Sequence, residues 1–415
     1  MQTPLPLLGL VLLAAVSCSH ESLTRPAPSP GDSAERGREL AHRLIIVDGH
    51  IDVPYRLQEK LSPEGEPTED ISQRTSGGDF DYPRAVEGGL DVPFMSIYVP
   101  AELQKTAGAS KALADSLIDM VEKLARASPD KFALARSVDE ARRNTSEGKI
   151  SFAMGIENGS ALEDSVANVA HFQKRGVRYI TLTHSADNLL GDSSYAEGTH
   201  RWNGLSPLGK QVVAEMNRVG IMVDVSHLSD ATIRQVLETS QQPVIASHSS
   251  CRHFTPGFER NLSDELIRAI AAKGGVVMIN FGSSFLIQAA QEHEKRLREE
   301  ALAFIQQRGL TRESPEVKTF IENWLREHPF PRARVEDVAD HIEHVVKLVG
   351  IDHVGLGSDF DGVGPTLPVG LEDVSRYPNL FRVLLERGYG EAELEKLASG
   401  NVFRVWQQVE AASRP

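Results

Sequence analysis

Histidine and carboxylate side chains stand at the ends of short apolar runs in this chain, and these residue types bind metal ions. His50 and Asp52 follow the apolar residues 44–47, and Glu157 follows residues 152–156. The His-x-Asp spacing places both side chains on one face of a strand, where they can bind one cation. An unpaired carboxylate at the end of a buried run costs free energy, so Glu157 needs either a cation or an ion pair with a basic side chain.

Two further histidines, His227 and His248, end two successive apolar runs. Each of them alone could be a hydrogen-bonded core histidine, whereas two at equivalent positions favour metal binding. Asp224 and Ser226 alternate around Val225, a spacing that suits residues that orient the histidine rings.

Three other patterns resemble metal or cofactor motifs but do not support them. His341 and His344 lie three residues apart among charged residues, and we interpret them as part of a solvated helix face. Gly355-x-Gly357 lacks the later glycine of a dinucleotide-binding loop, and His293 has no histidine four residues further on. The sequence therefore predicts neither a bound NAD nor the helical zinc-protease motif.

The elements that position the candidate ligands are eight β-rich runs separated by amphipathic helical stretches, a pattern that predicts a parallel sheet with crossover helices. The runs are 44–52, 91–99, 149–157, 177–185, 221–227, 243–249, 275–281 and 353–361. Helices are predicted at 206–219 and 230–239, the second after a Ser229 cap. Eight strands favour a closed (β/α)8 TIM barrel, and a doubly wound sheet is the alternative.

In a barrel the carboxyl ends of all strands meet at one mouth, where barrel enzymes have their active sites. Six strand ends then bring together His50, Asp52, Glu157, His184, His227, His248 and Asp359. This convergence predicts a site built from imidazole and carboxylate groups.

Composition and charge limit the partners of the chain. The formal net charge of −14 gives no electrostatic footprint for nucleic acid, so no DNA or RNA partner is expected. Only two cysteines occur, Cys18 and Cys251, which excludes a disulfide framework and a thiolate zinc site. The 40% hydrophobic content is sufficient for a large core.

The first residues are typical of an export signal. Residues 5–16 are almost wholly apolar and too short for a comfortable membrane span, and residues 15–18 resemble a bacterial lipoprotein cleavage box. We therefore predict a signal peptide at 1–18, lipidation of Cys18, a tether at 19–36 and a single catalytic domain at 37–415. The mature protein would lie in the periplasm or on the cell surface, attached to a membrane by its lipid. A signal peptide with a bystander cysteine is the alternative.

Several longer motifs occur in an order that resembles the membrane dipeptidase (renal dipeptidase) family, peptidase family M19. They are Asp48-Gly49-His50-Ile51-Asp52-Val53-Pro54, Leu182-Thr183-His184, Gly204-Leu205-Ser206-Pro207, Val223-Asp224-Val225-Ser226-His227, Val244-Ile245-Ala246-Ser247-His248, Arg260-Asn261 and Gly357-Ser358-Asp359-Phe360-Asp361-Gly362. The resemblance extends from about residue 44 to the end of the chain.

This resemblance implies a barrel of the metal-dependent amidohydrolase type that hydrolyses dipeptides with two Zn²⁺ ions and a bridging hydroxide. By the resemblance, His50 and Asp52 bind one zinc ion, His227 and His248 bind the other, and Glu157 bridges them. His184 and Arg260 contact the substrate, and His184 also assists catalysis by donating to the oxyanion. Asp359 is the residue that transfers the proton.

The chain departs from the mammalian members of the family in one region. Asn280-Phe281 is followed by Gly282 instead of tyrosine, and residues 283–332 have the pattern of a helical insertion or lid. Alternatives to a dipeptidase are a barrel metallohydrolase acting on another amide, lactam or ester bond, and an inactive surface lipoprotein that binds peptides. The sequence does not decide whether the chain forms a homodimer.

Overall fold

The computed structural model describes residues 30–196 and 198–413, within which nine β-strands form one parallel sheet. The strands are β1 (Ile46–Ile51), β2 (Leu90–Tyr98), β3 (Phe132–Leu134), β4 (Ile150–Glu157), β5 (Val177–Thr181), β6 (Met222–Asp224), β7 (Ile245–Ala246), β8 (Val276–Ile279) and β9 (Val354–Leu356). The predicted signal peptide, Cys18 and residues 19–29 of the predicted tether lie outside the described residues.

Eight of these strands form a nearly closed barrel in the order β1-β2-β4-β5-β6-β7-β8-β9. A parallel bridge between Ile51 and Phe360 connects its first and last strands. The Asp52 amide donates to the Phe360 carbonyl at 2.9 Å, and the Asp359 amide donates to the His50 carbonyl at 3.0 Å. This closure confirms the predicted α/β barrel, because a doubly wound sheet keeps two separate edges.

Strand β3, which lies outside the barrel, was not expected from the sequence. It has three residues and pairs with β4 outside the barrel order. So short a segment gives little alternation of polar and apolar residues, which explains why the sequence pattern did not indicate it.

Helices connect the strands and surround the barrel. They are α1 (Pro30–Arg43), α2 (Val53–Gln58), α3 (Tyr82–Gly88), α4 (Ala109–Ala127), α5 (Val138–Ser146), α6 (Ala167–Lys174), α7 (Pro207–Val219), α8 (Asp230–Thr239), α9 (Asp264–Ala272), α10 (Ser283–Leu286), α11 (Gln288–Arg308), α12 (Pro315–Glu327), α13 (Val335–Val349), α14 (Tyr377–Glu386), α15 (Glu391–Glu395) and α16 (Asn401–Ala411). None of these helices is both long enough and apolar enough to cross a bilayer.

The two predicted helices are confirmed as α7 and α8. Each has a serine N-cap whose hydroxyl accepts from a backbone N–H in the first turn: Ser206 from Gly209 at 2.9 Å and Ser229 from Thr232 at 3.2 Å. A side-chain acceptor satisfies one of the unpaired N–H groups at a helix start, so these caps fix where both helices begin.

Helix α1 begins at Pro30, so residues 30–36 of the predicted tether are helical and belong to the domain. The helix packs closely on α14: a Cβ added at Gly37 would lie 2.9 Å from two backbone atoms of α14. Arg36 also forms an ion pair with Glu391 at 2.7 Å. The charge and proline content of this segment suggested a tether, but these tertiary contacts hold it as a helix.

Helix α16 covers the end of the barrel opposite the mouth. At its start, the Asn401 amide donates to the carbonyl of Val354, the first residue of β9. Further along, the Trp406 ring lies 5.2 Å from the Phe94 ring, in a buried cluster that includes residues from several strands. The barrel interior is therefore filled and closed below the carboxyl ends of the strands.

The interpretation of His341 as a surface residue was wrong. Its side chain is fully buried, and its Nδ1 accepts from the Cys251 amide at 3.0 Å while its Nε2 donates to the Leu286 carbonyl at 3.0 Å. Burial lowers the pKa of His341 to about 3. The charged residues around it in sequence lie on the other side of α13, and the helical pattern alone did not show which side faces inward.

Lowering the pH is expected to destabilise the protein through His341. Between its ordinary pKa of 6.5 and the folded-state value of about 3, the unfolded chain protonates this ring and the folded chain does not. Stability is therefore present above pH 6.5 and is lost as the pH falls. We measure the free energy of unfolding in urea at several pH values. As the pH falls, this free energy should decrease less steeply for His341→Gln than for the wild type, by up to about 1.4 kcal/mol per pH unit. Equal slopes for the two proteins would contradict this assignment.

Candidate metal centre

The barrel mouth brings the predicted ligand residues together, although several of them lie beyond the strand ends rather than in the strands. Glu157 is the last residue of β4, whereas His184, His227 and Asp359 each follow their strand by three residues. His227 and Asp359 have φ angles of 67° and 64°. This left-handed backbone, uncommon outside glycine, lies beyond the strand ends and turns the two side chains into the mouth.

The Glu157 carboxylate lies between two sets of imidazoles and is 4% exposed. Its Oε1 is 3.0 Å from His227 Nε2, 3.3 Å from His248 Nε2 and 3.6 Å from His184 Nε2. Its Oε2 is 3.4 Å from His50 Nε2, which is itself 3.4 Å from Asp52 Oδ2. The two oxygens of one carboxylate therefore face different ligand sets.

Hydrogen bonds fix which nitrogen of two rings faces the centre. The Ser247 hydroxyl donates to Asp224 Oδ2 at 2.6 Å and lies 2.7 Å from His248 Nδ1, so it accepts from an Nδ1–H. Tyr179 OH lies 2.7 Å from His50 Nδ1, and His50 Nε2 has no hydrogen-bond partner. His248 then presents an unprotonated Nε2 to the centre, and the partnerless Nε2 of His50 suits the same tautomer, the form that binds metal ions.

The electrostatics of the site favour a bound cation. Burial alone would raise the pKa of Glu157, but His50 and His184 outweigh it and hold that pKa well below its usual range. Burial lowers the pKa of His227 and His248 well below the ordinary value, which keeps both rings neutral. Burial also opposes protonation of His50, yet Tyr179, Asp52 and Glu157 raise its pKa well above normal. Positive charge is thus stabilised beside His50.

Imidazole nitrogens and carboxylate oxygens converge closely enough to hold metal ions. One atom from each of His50, Glu157 and His248 lies within 4.8 Å of the others, and the same holds for Glu157 with His184 and His227. The buried Nε2 of His50, which has no hydrogen-bond partner, suits a ligand to a cation. This donor set suits zinc, manganese or cobalt.

Asp187, Asp192 and His200 form a further acidic cluster near the mouth, and backbone N–H groups donate to both of its carboxylates. Asp192 accepts from the amides of Trp202 and Gly204, and Asp187 accepts from two other amides of the same loop. These hydrogen bonds shape the loop between β5 and α7.

A cavity of about 1000 Å³ opens above the centre. Its lining includes Asp52, Glu157, His184, His227, Asp359, Tyr55, Tyr98, Tyr195, Phe285, Glu294 and Arg298. The last three come from α10 and α11, so the predicted insertion at 283–332 is helical and forms part of the cavity wall.

Arg260 does not line this cavity in the structure. Its guanidinium lies 5.2 Å from the ring centroid of Phe285 and donates to the Ser249 hydroxyl at 2.8 Å and the His248 carbonyl at 2.9 Å. Its Nε is buried without a hydrogen-bond partner. Arg260 therefore lies next to the candidate metal centre, with its Nε–H still available.

The carboxyl of Asp359 has a raised pKa. Burial, together with the neighbouring Asp52, raises its pKa to about 8. Asn280 donates to its Oδ2 at 2.7 Å. A carboxyl with a pKa near neutrality can both take up and release a proton.

Sequence reasoning missed the residues that hold the ligands. Tyr179, Ser247 and Asn280 contact His50, His248 and Asp359, respectively. Tyr179 and Ser247 lie within or beside apolar runs, where a single hydroxyl gives little signal. Asn280 directly follows β8, one of the two strands for which no polar site residue was expected, and that gap was the one available indication.

Comparisons with known proteins agree with this geometry. The family model for membrane dipeptidases (peptidase family M19) matches residues 34–415. Dipeptidase 3 of Mus musculus is 32% identical over 98% of this chain and 78% of its own length. The probable dipeptidase PvdM of Pseudomonas aeruginosa has a TM-score of 0.80 and 27% identity over 92% of this chain and all of its own. A Rhodobacter sphaeroides metallopeptidase bound to a phosphinate mimic of L-Ala-D-Ala has a TM-score of 0.71 and 25% identity, over 88% and 99% of the two chains.

Tyr179→Phe is expected to weaken metal binding by about 10- to 100-fold, because it removes the hydrogen bond that orients His50. Competition with a chromophoric chelator measures the affinity. Tyr389→Phe, which removes the hydroxyl of a half-buried tyrosine that does not line the cavity, is the matched control. Equal affinities for the two variants would show that the Tyr179 hydroxyl does not support the centre.

Proposed function

We propose that this chain, which belongs to the membrane dipeptidase family of metallopeptidases, hydrolyses dipeptides with two zinc ions held on either side of Glu157. The observation that carries the proposal is the position of this carboxylate. Its Oε1 faces His227 and its Oε2 faces His50, at 3.0 and 3.4 Å. One ion would bind His50 and Asp52, and the other His227 and His248.

Metal ions at this centre would polarise the substrate carbonyl and make hydroxide available from water near neutral pH. Other residues of the chain hold the proposed ligands in place. Ser96 donates to Glu157 Oε2 at 3.3 Å, and Ser247 and Tyr179 hold two of the rings. Because these contacts exist before substrate binds, little reorganisation is needed during the reaction.

Arg260 would bind the free carboxylate of the dipeptide. It is a buried cation that donates to the His248 carbonyl, and its Nε–H has no partner among the described residues. A guanidinium pairs well with a carboxylate by charge-assisted hydrogen bonds. Anchoring the C-terminal carboxylate next to the centre limits the enzyme to the last peptide bond, which makes it an exopeptidase. A relative with a bound L-Ala-D-Ala mimic supports a dipeptide substrate.

His184 would donate to the oxygen that becomes negative when the carbonyl is attacked. Its ring lines the cavity, 3.6 Å from Glu157 Oε1 and beside the edge of Tyr98. One such donor is commonly worth a factor of about 100 to 1000 in kcat.

Asp359 would move the proton of the reaction. Its raised pKa, near 8, and its place between Asp52 and Asn280 suit a group that takes a proton from the attacking water. It would then give that proton to the amine that leaves.

The purified protein should therefore cleave simple dipeptides, lose activity with a chelator and regain it with Zn²⁺. A dipeptide amide, which lacks the free carboxylate, should be a poor substrate.

Asp359→Asn should retain two metal ions per chain and lose turnover by about 100- to 10,000-fold. Full turnover of this variant would refute the proton-transfer role. No hydrolysis of any dipeptide by metal-loaded wild type would refute the function, and a panel of other amides, lactams and esters would then identify the bond cleaved.

We also propose that the protein is exported and attached to a membrane through a lipid on Cys18. The apolar residues 5–16 and the box at 15–18 support this. A mature N-terminus at a diacylated Cys18, seen by mass spectrometry of protein from the native host, is the expected result. A mature N-terminus without a lipid would contradict the proposal and would indicate an ordinary signal peptide. In that case Cys18→Ser would not change the distribution of the protein between the membrane and soluble fractions.

A further inference from the structure

Asn280 is a buried asparagine next to the proposed proton-transfer residue. It follows β8 directly and is fully buried. Its Nδ2 donates to Asp359 Oδ2 at 2.7 Å. No proposed metal ligand or substrate contact comes from β8 or the residues directly after it, so Asn280 is the polar residue that this strand places beside the site.

The orientation of the Asn280 amide is fixed by its other end. Its Oδ1 accepts from the Gly282 amide at 2.7 Å, and its backbone carbonyl accepts from the Ser250 hydroxyl at 3.0 Å. A flipped side chain would place its oxygen against the Asp359 carboxylate and its NH₂ group against the N–H of Gly282. Both contacts would be repulsive, so the NH₂ group faces Asp359.

The other oxygen of Asp359 faces the metal centre. A Cβ added at Gly362 would lie 2.3 Å from both Asp359 Oδ1 and Asp52 Oδ2, so only glycine allows these two oxygens to occupy their positions. One atom each from His50, Asp52 and Asp359 also lies within 4.8 Å of the others. The two oxygens of Asp359 therefore have different surroundings: an amide donor at Oδ2 and the reaction centre at Oδ1.

We propose that Asn280 is a positioning residue, whose amide holds Asp359 by Oδ2 so that Oδ1 alone carries the proton in hydrolysis. The proposal depends on the dipeptidase function given above. Oδ1 takes a proton from the water whose oxygen bonds to the carbonyl carbon. The same proton passes to the amine nitrogen as the C–N bond breaks, and the carboxylate is restored.

Asparagine suits this role because its amide donates a hydrogen bond without exchanging a proton with the carboxylate at neutral pH. Without that contact, the carboxylate can rotate about its Cβ–Cγ bond and no longer presents one oxygen to the substrate. A misplacement of about 1 Å at a reacting group can lower a rate by about 100-fold. The effect should appear in kcat, because the Asn280 side chain contacts Asp359 and the Gly282 amide and none of the proposed metal ligands.

The test is a double-mutant cycle of Asn280→Ala and Asp359→Asn in the metal-loaded enzyme. Asn280→Ala alone should lower kcat by about 10- to 100-fold, with KM and metal content close to wild type. In the Asp359→Asn background the same change should lower kcat by less than about 2-fold, because its target is already lost. Asn401→Ala, which removes another buried amide at the opposite end of the barrel, is the control and should keep kcat unchanged.

Three results would overturn the proposal. Wild-type kcat in Asn280→Ala would show that the amide contact is dispensable. An equal fold-loss in both backgrounds would show that Asn280 acts independently of Asp359. A loss of kcat in proportion to lost metal would place its role at the metal centre. The proposed function itself fails separately, if the wild-type enzyme loaded with metal does not cleave dipeptides.

Discussion

The burial of one carboxylate, Glu157, is the constraint on which the mouth of this barrel depends. A charge that is 4% exposed is costly unless opposite charges or donors surround it. Here histidine nitrogens approach both of its oxygens, between 3.0 and 3.6 Å. Burial keeps His227 and His248 neutral, so they supply lone pairs rather than positive charge. Cations bound on either side of Glu157, as proposed, would complete this balance.

The barrel meets that constraint through its topology. Because its eight strands are parallel and β1 joins β9, residues far apart in the chain reach one mouth. The chain leaves the strands just before several site residues, with left-handed φ angles at His227 and Asp359. Hydroxyl and amide groups from Tyr179, Ser247 and Asn280 then fix the side chains. Rigid strands supply the approximate position, and these hydrogen bonds supply the final orientation.

The sequence predicted the barrel and the residues at its mouth because both depend on local patterns. An apolar run that ends in histidine or a carboxylate is visible in the chain, and closure of the barrel follows from the number of runs. The three-residue strand β3, the helical start at Pro30 and the burial of His341 were not predictable, since tertiary contacts decide them. The two oxygens of Asp359 have different surroundings because Gly362 lies beside one and Asn280 donates to the other. These two residues lie far apart in sequence, so no local pattern shows this arrangement.

Crystals of the protein grown with Zn²⁺ and measured at the zinc absorption edge would test the central claim most directly. Two anomalous peaks about 3.5–4 Å apart are expected, with one oxygen of Glu157 bound to each ion. A single peak, or two peaks of which neither contacts Glu157, would contradict it.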